Sequence, residues 1–149
     1  MRGIGIDAVD IARFRDMLTR RPNLRSRLFT NAELESLAAQ QDDAASLAAR
    51  FAVREATMKA LGVGLGAFDF HDVSVAKHDS GAPVLIVTGR AHDLAQSQGV
   101  DGWHVSITHT DTVAMAVVAA IEISSVPSPP CTSQAFSDPS ARRVSAIGR

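Results

Sequence analysis

The chain reads as an α+β protein, a mainly antiparallel sheet packed with helices, and three observations predict it. DVSVAK and APVLIVTG flank an Asp79-Ser80-Gly81 turn, which is a hairpin signal. HVSITHT and TVAMAVVAAIEI form a second such pair around a turn at Asp111, the latter apolar on both of its alternating faces. Between and before them lie stretches of helical period, most clearly the alanine-rich run through RFAVREATMKALG.

Taken in order, GIGID forms a short first strand, with Ile4 and Ile6 on one face and Gly3, Gly5 and Asp7 on the other, Asp7 at its end. A helix follows to about Arg21, its apolar face made by Ile11, Phe14 and Leu18 and its stop marked by Pro22. NAELESLAAQ gives a second helix capped by Thr30 or Asn31. In the third, Leu47, Phe51, Met58 and Leu61 fall on one stripe and Ala49, Val53, Ala56 and Ala60 on the opposite side, so no broad solvated face is left. Glu55 and Lys59 share one narrow stripe of this helix, and Arg50 and Arg54 another. Charges on so apolar a helix are expected to face a partner or a ligand. RAHDLAQSQG supplies one more helix before the two final strands.

After Ile123 the composition changes. Four of the six prolines and a run of serines gather in a tail without apolar period. The working domain is therefore residues 1–123, and 124–149 is expected to be a disordered Ser/Pro-rich tail. A domain of that length can bury a core, which the 46% hydrophobic fraction supports. The net charge of −1 advertises no affinity for nucleic acid. The apolar stretch at the start is short and interrupted by Asp7, and nothing reaches the length of a membrane span, so no membrane association is expected and the location expected is cytoplasmic. Cys131, the only cysteine, can form no disulfide within the chain.

Four places could carry chemistry. Asp7 is either a helix N-cap, with Asp10 completing a capping box, or a metal ligand. Glu55 and Lys59 are either an i, i+4 ion pair or members of a site. Gly62 suits a helix C-cap, whereas Gly64 and Gly66 exceed what a cap needs and would let backbone approach a phosphate. His104, Ser106 and Thr108 share a strand face that His109 ends. Separately, six arginines from Arg13 to Arg27 surround one acid, Asp16. Arg13, Met17, Arg20 and Arg21 make a stripe away from the first helix's apolar face. An exposed methionine among guanidinium groups suits an acidic, partly apolar protein, and without interleaved aromatics it suits nucleic acid less well.

GIGIDAVDIARF, RFAVREATMKALGVGLG and WHVSITHT, in this order and spacing, closely resemble the holo-acyl-carrier-protein synthases, a class of 4′-phosphopantetheinyl transferases. The resemblance spans essentially residues 1–123. Arg54 departs from it, standing where the family commonly has lysine, and the tail extends past the usual end. The resemblance implies the 4′-phosphopantetheinyl transferase fold as a homotrimer with a pocket in each intersubunit cleft. It implies transfer of the phosphopantetheine arm from coenzyme A to a serine of apo acyl carrier protein, for fatty acid or polyketide biosynthesis. Asp7 and Glu55 would hold Mg2+, and Lys59 would reach the same phosphates. Arg50, Gly62, Gly64, Ser106, Thr108 and His109 would line the coenzyme pocket, with the arginine stripe binding the carrier. Glu55, alone or through a water, and Asp111 are candidates for the base, with Glu55, Lys59 and His109 forming the catalytic set. Two other readings use the same residues: a non-catalytic module for an acidic protein, and a magnesium-dependent phosphohydrolase using Asp7, Glu55 and His109.

Overall fold

A computed structural model describes residues 1–123, so the reading of the tail lies outside the described residues. The chain runs β1 (Gly3–Asp10), α1 (Ile11–Arg20), α2 (Leu24–Leu28), α3 (Asn31–Leu37), α4 (Ala44–Ala60), β2 (Val73–Lys77), β3 (Pro83–Val87), α5 (Gly89–Ser97), β4 (Gly102–His109) and β5 (Val113–Ile121). One antiparallel sheet has the order β1-β5-β4, and β2 and β3 form a separate hairpin. The α+β architecture is therefore as the pattern of hairpins and helical runs predicts.

Helix α4 lies across β1 and β5 and organises the core. Its alanines are what permit this. A Cβ added to Gly3 or Gly5 would run into the backbone carbonyl of Ala60 or Ala56, so β1 and α4 touch backbone to backbone. On β5, Ala114, Ala116, Val118 and Ala120 are buried against the helix. That close approach brings Asp7, in the middle of β1, against the Glu55–Lys59 stretch of α4.

Three local expectations are corrected. The first strand continues to Asp10, so Asp7 lies inside it instead of at its end. Asp10, not Asp7, is the N-cap of α1, accepting from the Arg13 amide at 2.8 Å. The strand prevails because every residue from Gly3 to Asp10 finds a partner on β5. Helix α2 and a 3-10 turn at Phe70–Asp72 appear where no helix was expected. Thr30 caps α3 through a reciprocal capping box with Glu33.

Among the described residues nothing covers the other face of the three-stranded sheet. Ile4 and Ile6 are 60% and 55% exposed, and their register partners across β5 are Ala119 and Val117. Met115 is exposed beside them, and β4 adds His104, Ser106 and Thr108 to the same face. The expectation that β5 is apolar on both sides holds, with one side packed and the other open.

Candidate active site

Pairing β1 against α4 places Asp7 beside Lys59, whose Nζ donates to Asp7 Oδ1 at 2.8 Å and to the Ile6 carbonyl at 2.9 Å. Lys59 therefore pairs across to the strand and not with Glu55 along its own helix. Among the described residues no donor pairs with the Glu55 carboxylate. Its pKa is raised, first by burial and then by the negative charge of Asp7, with Lys59 pulling the other way. The result is two carboxylates close enough to repel, one held by an ammonium and the other without a counter-ion.

These carboxylates open into a cleft of 780 Å³ whose far wall is α1. Asp7 and Glu55 line it together with Arg13, Met17, Arg20 and Arg21, over an apolar floor that includes Phe14 and Phe51. Phe14 and Phe51 pack ring to ring at 5.3 Å between centroids. The sequence pairs neither aromatic with the site, because their roles depend on α1 folding back over α4. The remaining arginines divide. Arg15 bonds Asp42 and Arg25 bonds Asp43, each at 2.6 Å, so both are tied to the start of α4. Among the described residues Arg13, Arg20 and Arg21 have no acid partner within ion-pair reach.

Arg54 faces inward and not toward a ligand. Its fully buried guanidinium makes two bonds to Glu33 (2.6 and 3.1 Å), donates to the Phe70 and Arg50 carbonyls and lies over the Phe29 ring. Burial raises the Glu33 pKa, but Arg54 and the amides of Thr30 and Val75 outweigh it and hold the carboxyl below its usual range. Arg50, one turn earlier, is only 3.9 Å from the same carboxylate. Its Nε has no hydrogen-bond partner among the described residues. It faces a second recess, of 260 Å³, shared with Ser36, Ser74 and Lys77. Ser74 and Lys77 carry no sequence signal for this, since their place depends on the β2–β3 hairpin packing next to α3 and α4.

Arg50 and Glu55 are five residues apart, about 140° around the helix, so the recess and the cleft open on different sides of α4. Ser106 and Thr108 stand on the open face of the sheet, away from the helix. His109 shares the helix-side face with Asp7, but β5 separates their strands, leaving the backbones at least about 10 Å apart. Asp111 is exposed in the turn beyond it. Gly62 and Gly66 both have positive φ, 67° and 88°, whereas Gly64 does not, and a Cβ at any of the three would meet open space. One chain thus unites Asp7 and Glu55, Lys59 and the arginine stripe, and leaves Arg50, Ser106, Thr108 and His109 elsewhere.

A family model described as the 4′-phosphopantetheinyl transferase superfamily matches residues 3–118. A holo-acyl-carrier-protein synthase of Streptomyces avermitilis is 48% identical over 118 residues, 79% of this chain and 95% of that protein. One from Moorella thermoacetica is 42% identical over 120 residues, 80% and 93% of the two. Among solved structures, the Helicobacter pylori holo-acyl-carrier-protein synthase in complex with coenzyme A superposes with a TM-score of 0.69 at 30% identity, covering 79% of this chain and 99% of that one. The chain belongs to the 4′-phosphopantetheinyl transferase superfamily and, within it, to the holo-acyl-carrier-protein synthases. Membership makes it an enzyme of the phosphopantetheinyl-transfer class. Among the described residues no helix is long and apolar enough to cross a membrane.

Proposed function

We propose that this enzyme moves the 4′-phosphopantetheine arm of coenzyme A onto a serine hydroxyl of an acidic apo acyl carrier protein in the cytoplasm, serving fatty acid or polyketide biosynthesis. The observation that carries the reading is the single cleft in which Asp7 and Glu55 meet Arg13, Met17, Arg20 and Arg21. A carrier bound to the arginine wall would present its serine directly to the carboxylates. In the reaction, the serine oxygen forms a bond to the phosphorus that bears the pantetheine. The pyrophosphate P–O bond breaks, and adenosine 3′,5′-bisphosphate leaves with the electron pair.

The donor set suits Mg2+. Among the described residues no three His, Cys, Asp or Glu side chains cluster as a cation cage. Magnesium needs fewer, commonly one or two carboxylates with substrate phosphates and water completing its shell. Glu55 has no counter-ion and Asp7 Oδ2 accepts no bond among the described residues, so both have free oxygen to offer. When bound, the ion offsets charge on the pyrophosphate. Glu55 takes the serine proton, directly or through a water, and its raised pKa makes it a better acceptor than an exposed glutamate. Lys59, half exposed beside Asp7, is long enough to bring its charge to the phosphates.

The coenzyme residues lie on two further surfaces, which is why we propose a homotrimer. The apolar face of Ile4, Ile6 and Met115, uncovered among the described residues, needs a neighbour, and packing there would carry Ser106 and Thr108 of one subunit toward the site of the next, with His109 at the end of the same strand. Arg50 and Lys77, which line the second recess, suit the nucleotide's phosphate from a neighbouring subunit. Light scattering tests this; a fully active monomer would refute it. The separation of His109 from Asp7 counts against a phosphohydrolase built within one chain. The intact set of Asp7, Glu55 and Lys59 counts against a non-catalytic binding module.

Chromatography of the nucleotide products tests the reaction. Adenosine 3′,5′-bisphosphate should appear only when apo carrier protein, coenzyme A and magnesium are all present. Release without the carrier would make the enzyme a hydrolase, and no release would end the proposal.

A further inference from the structure

One carboxylate in this site answers to two cations. Asp7 is mostly buried, its side chain 16% exposed, and the ammonium bonded to it is the half-exposed Lys59. Two of that ammonium's three hydrogens are committed to β1, one to Asp7 Oδ1 and one to the Ile6 carbonyl. A group so held has one hydrogen left, so a phosphate that claims the ammonium fully must draw it off β1. Lys59 reaches Asp7 from the helix on which Glu55 sits, so the ion pair occupies the space between the two carboxylates' elements.

We infer that Lys59 is an internal competitor for the divalent cation at Asp7, so that cation binding releases its ammonium to the coenzyme's pyrophosphate. This rests on the proposed function, in which Asp7 and Glu55 hold a metal. The linkage is reciprocal: a pyrophosphate that draws Lys59 away from Asp7 Oδ1 also leaves the carboxylate's full charge to a cation at Oδ2. The two ligands then favour each other even before they touch. Removing the ammonium should therefore move the two affinities in opposite directions. A residue that only clamped phosphate would weaken coenzyme binding and leave the cation site unchanged. A residue that only supported the fold would weaken both.

The test is a titration of the purified protein with Mn2+, followed by electron paramagnetic resonance of the free ion, beside calorimetry of coenzyme A binding with chelator present. Lys59→Gln should bind Mn2+ about two- to five-fold more tightly than wild type, the range expected from losing a partly exposed ion pair. The same variant should bind coenzyme A more weakly. Lys59→Arg, which can keep the pair, should stay near wild type for Mn2+. Arg13→Gln removes a cation from the same cleft that does not contact Asp7, and should also leave Mn2+ affinity near wild type. Equal tightening in Arg13→Gln and Lys59→Gln would reduce the effect to a general field and overturn the inference. Unchanged or weaker Mn2+ binding in Lys59→Gln would overturn it while leaving the metal site standing. Absence of Mn2+ binding in both wild type and Lys59→Gln would overturn the metal site as well.

Discussion

Two acid–base pairs anchor the same helix about a turn apart and differ in nearly every physical respect. Arg54 and Glu33 are 0% and 2% exposed, and Glu33 also accepts from the Thr30 and Val75 amides. Lys59 and Asp7 are 52% and 16% exposed, and the neighbouring Glu55 has no donor among the described residues. The first pair fixes α3, α4 and β2 against one another and offers a ligand nothing. The second leaves charge partly uncompensated, which is where a cation or phosphate gains most by binding. A charged residue on an apolar helix thus points to function only when its own chain fails to satisfy it.

The largest effect should come from breaking the buried pair. Glu33→Gln strands the Arg54 charge and should cost about 3–5 kcal/mol in urea unfolding. Because the folded pKa of Glu33 is lowered, its contribution is complete above the ordinary glutamate value of 4.5 and is lost as pH falls through the folded value. The gap between wild type and variant should therefore narrow in acid.

Glu55→Gln should behave oppositely. Turnover should fall at least ~100-fold, about 2.7 kcal/mol in the barrier, with the fold retained. Its folded pKa is raised, so ionised Glu55 costs stability in full once pH exceeds the folded value, and the cost is absent below the ordinary glutamate value of 4.5. The variant should melt above wild type at pH 7 and level with it near pH 4. A variant melting below wild type at pH 7 would show that Glu55 is a stabilising residue like Glu33 and erase the contrast.

Gly5→Ala probes the contact that brings Asp7 to Glu55. Its new Cβ meets the Ala56 carbonyl, and the overpacking should cost about 1–3 kcal/mol, with activity falling further than stability because β1 must shift from α4. The smallest effect belongs to the rim. Reversing Arg13 and Arg21 to Glu should raise KM for the carrier on the order of ten-fold, leave KM for coenzyme A unchanged, and weaken the salt dependence of association. An unchanged carrier KM would detach the arginine wall from recognition.

Much of the contrast could be anticipated from the sequence. The alanine-rich helix without a solvated face, the hairpins and the arginine stripe all follow from period and residue type, and the three motifs place the family. What could not be read depends on tertiary approach. Nothing local shows that Arg54 meets Glu33, which is 21 residues away, or that Lys59 prefers a strand 52 residues distant to the glutamate one turn behind it. Asp7 looked like a cap because DAVD resembles a capping box, and only pairing with β5 decides that the strand continues through it. The separation of Ser106 and Thr108 from the carboxylates likewise depends on which face of the sheet α4 covers.

The claim that this half-satisfied corner is a phosphopantetheinyl transfer site is tested most directly by intact-mass spectrometry. Apo carrier protein is incubated with coenzyme A, magnesium and either wild type or Glu55→Gln. With wild type the carrier should gain the mass of one phosphopantetheine, mapped to a single serine, while Glu55→Gln should leave it almost unmodified over the same time. A carrier unchanged by wild type, or modified equally well by Glu55→Gln, would contradict the account.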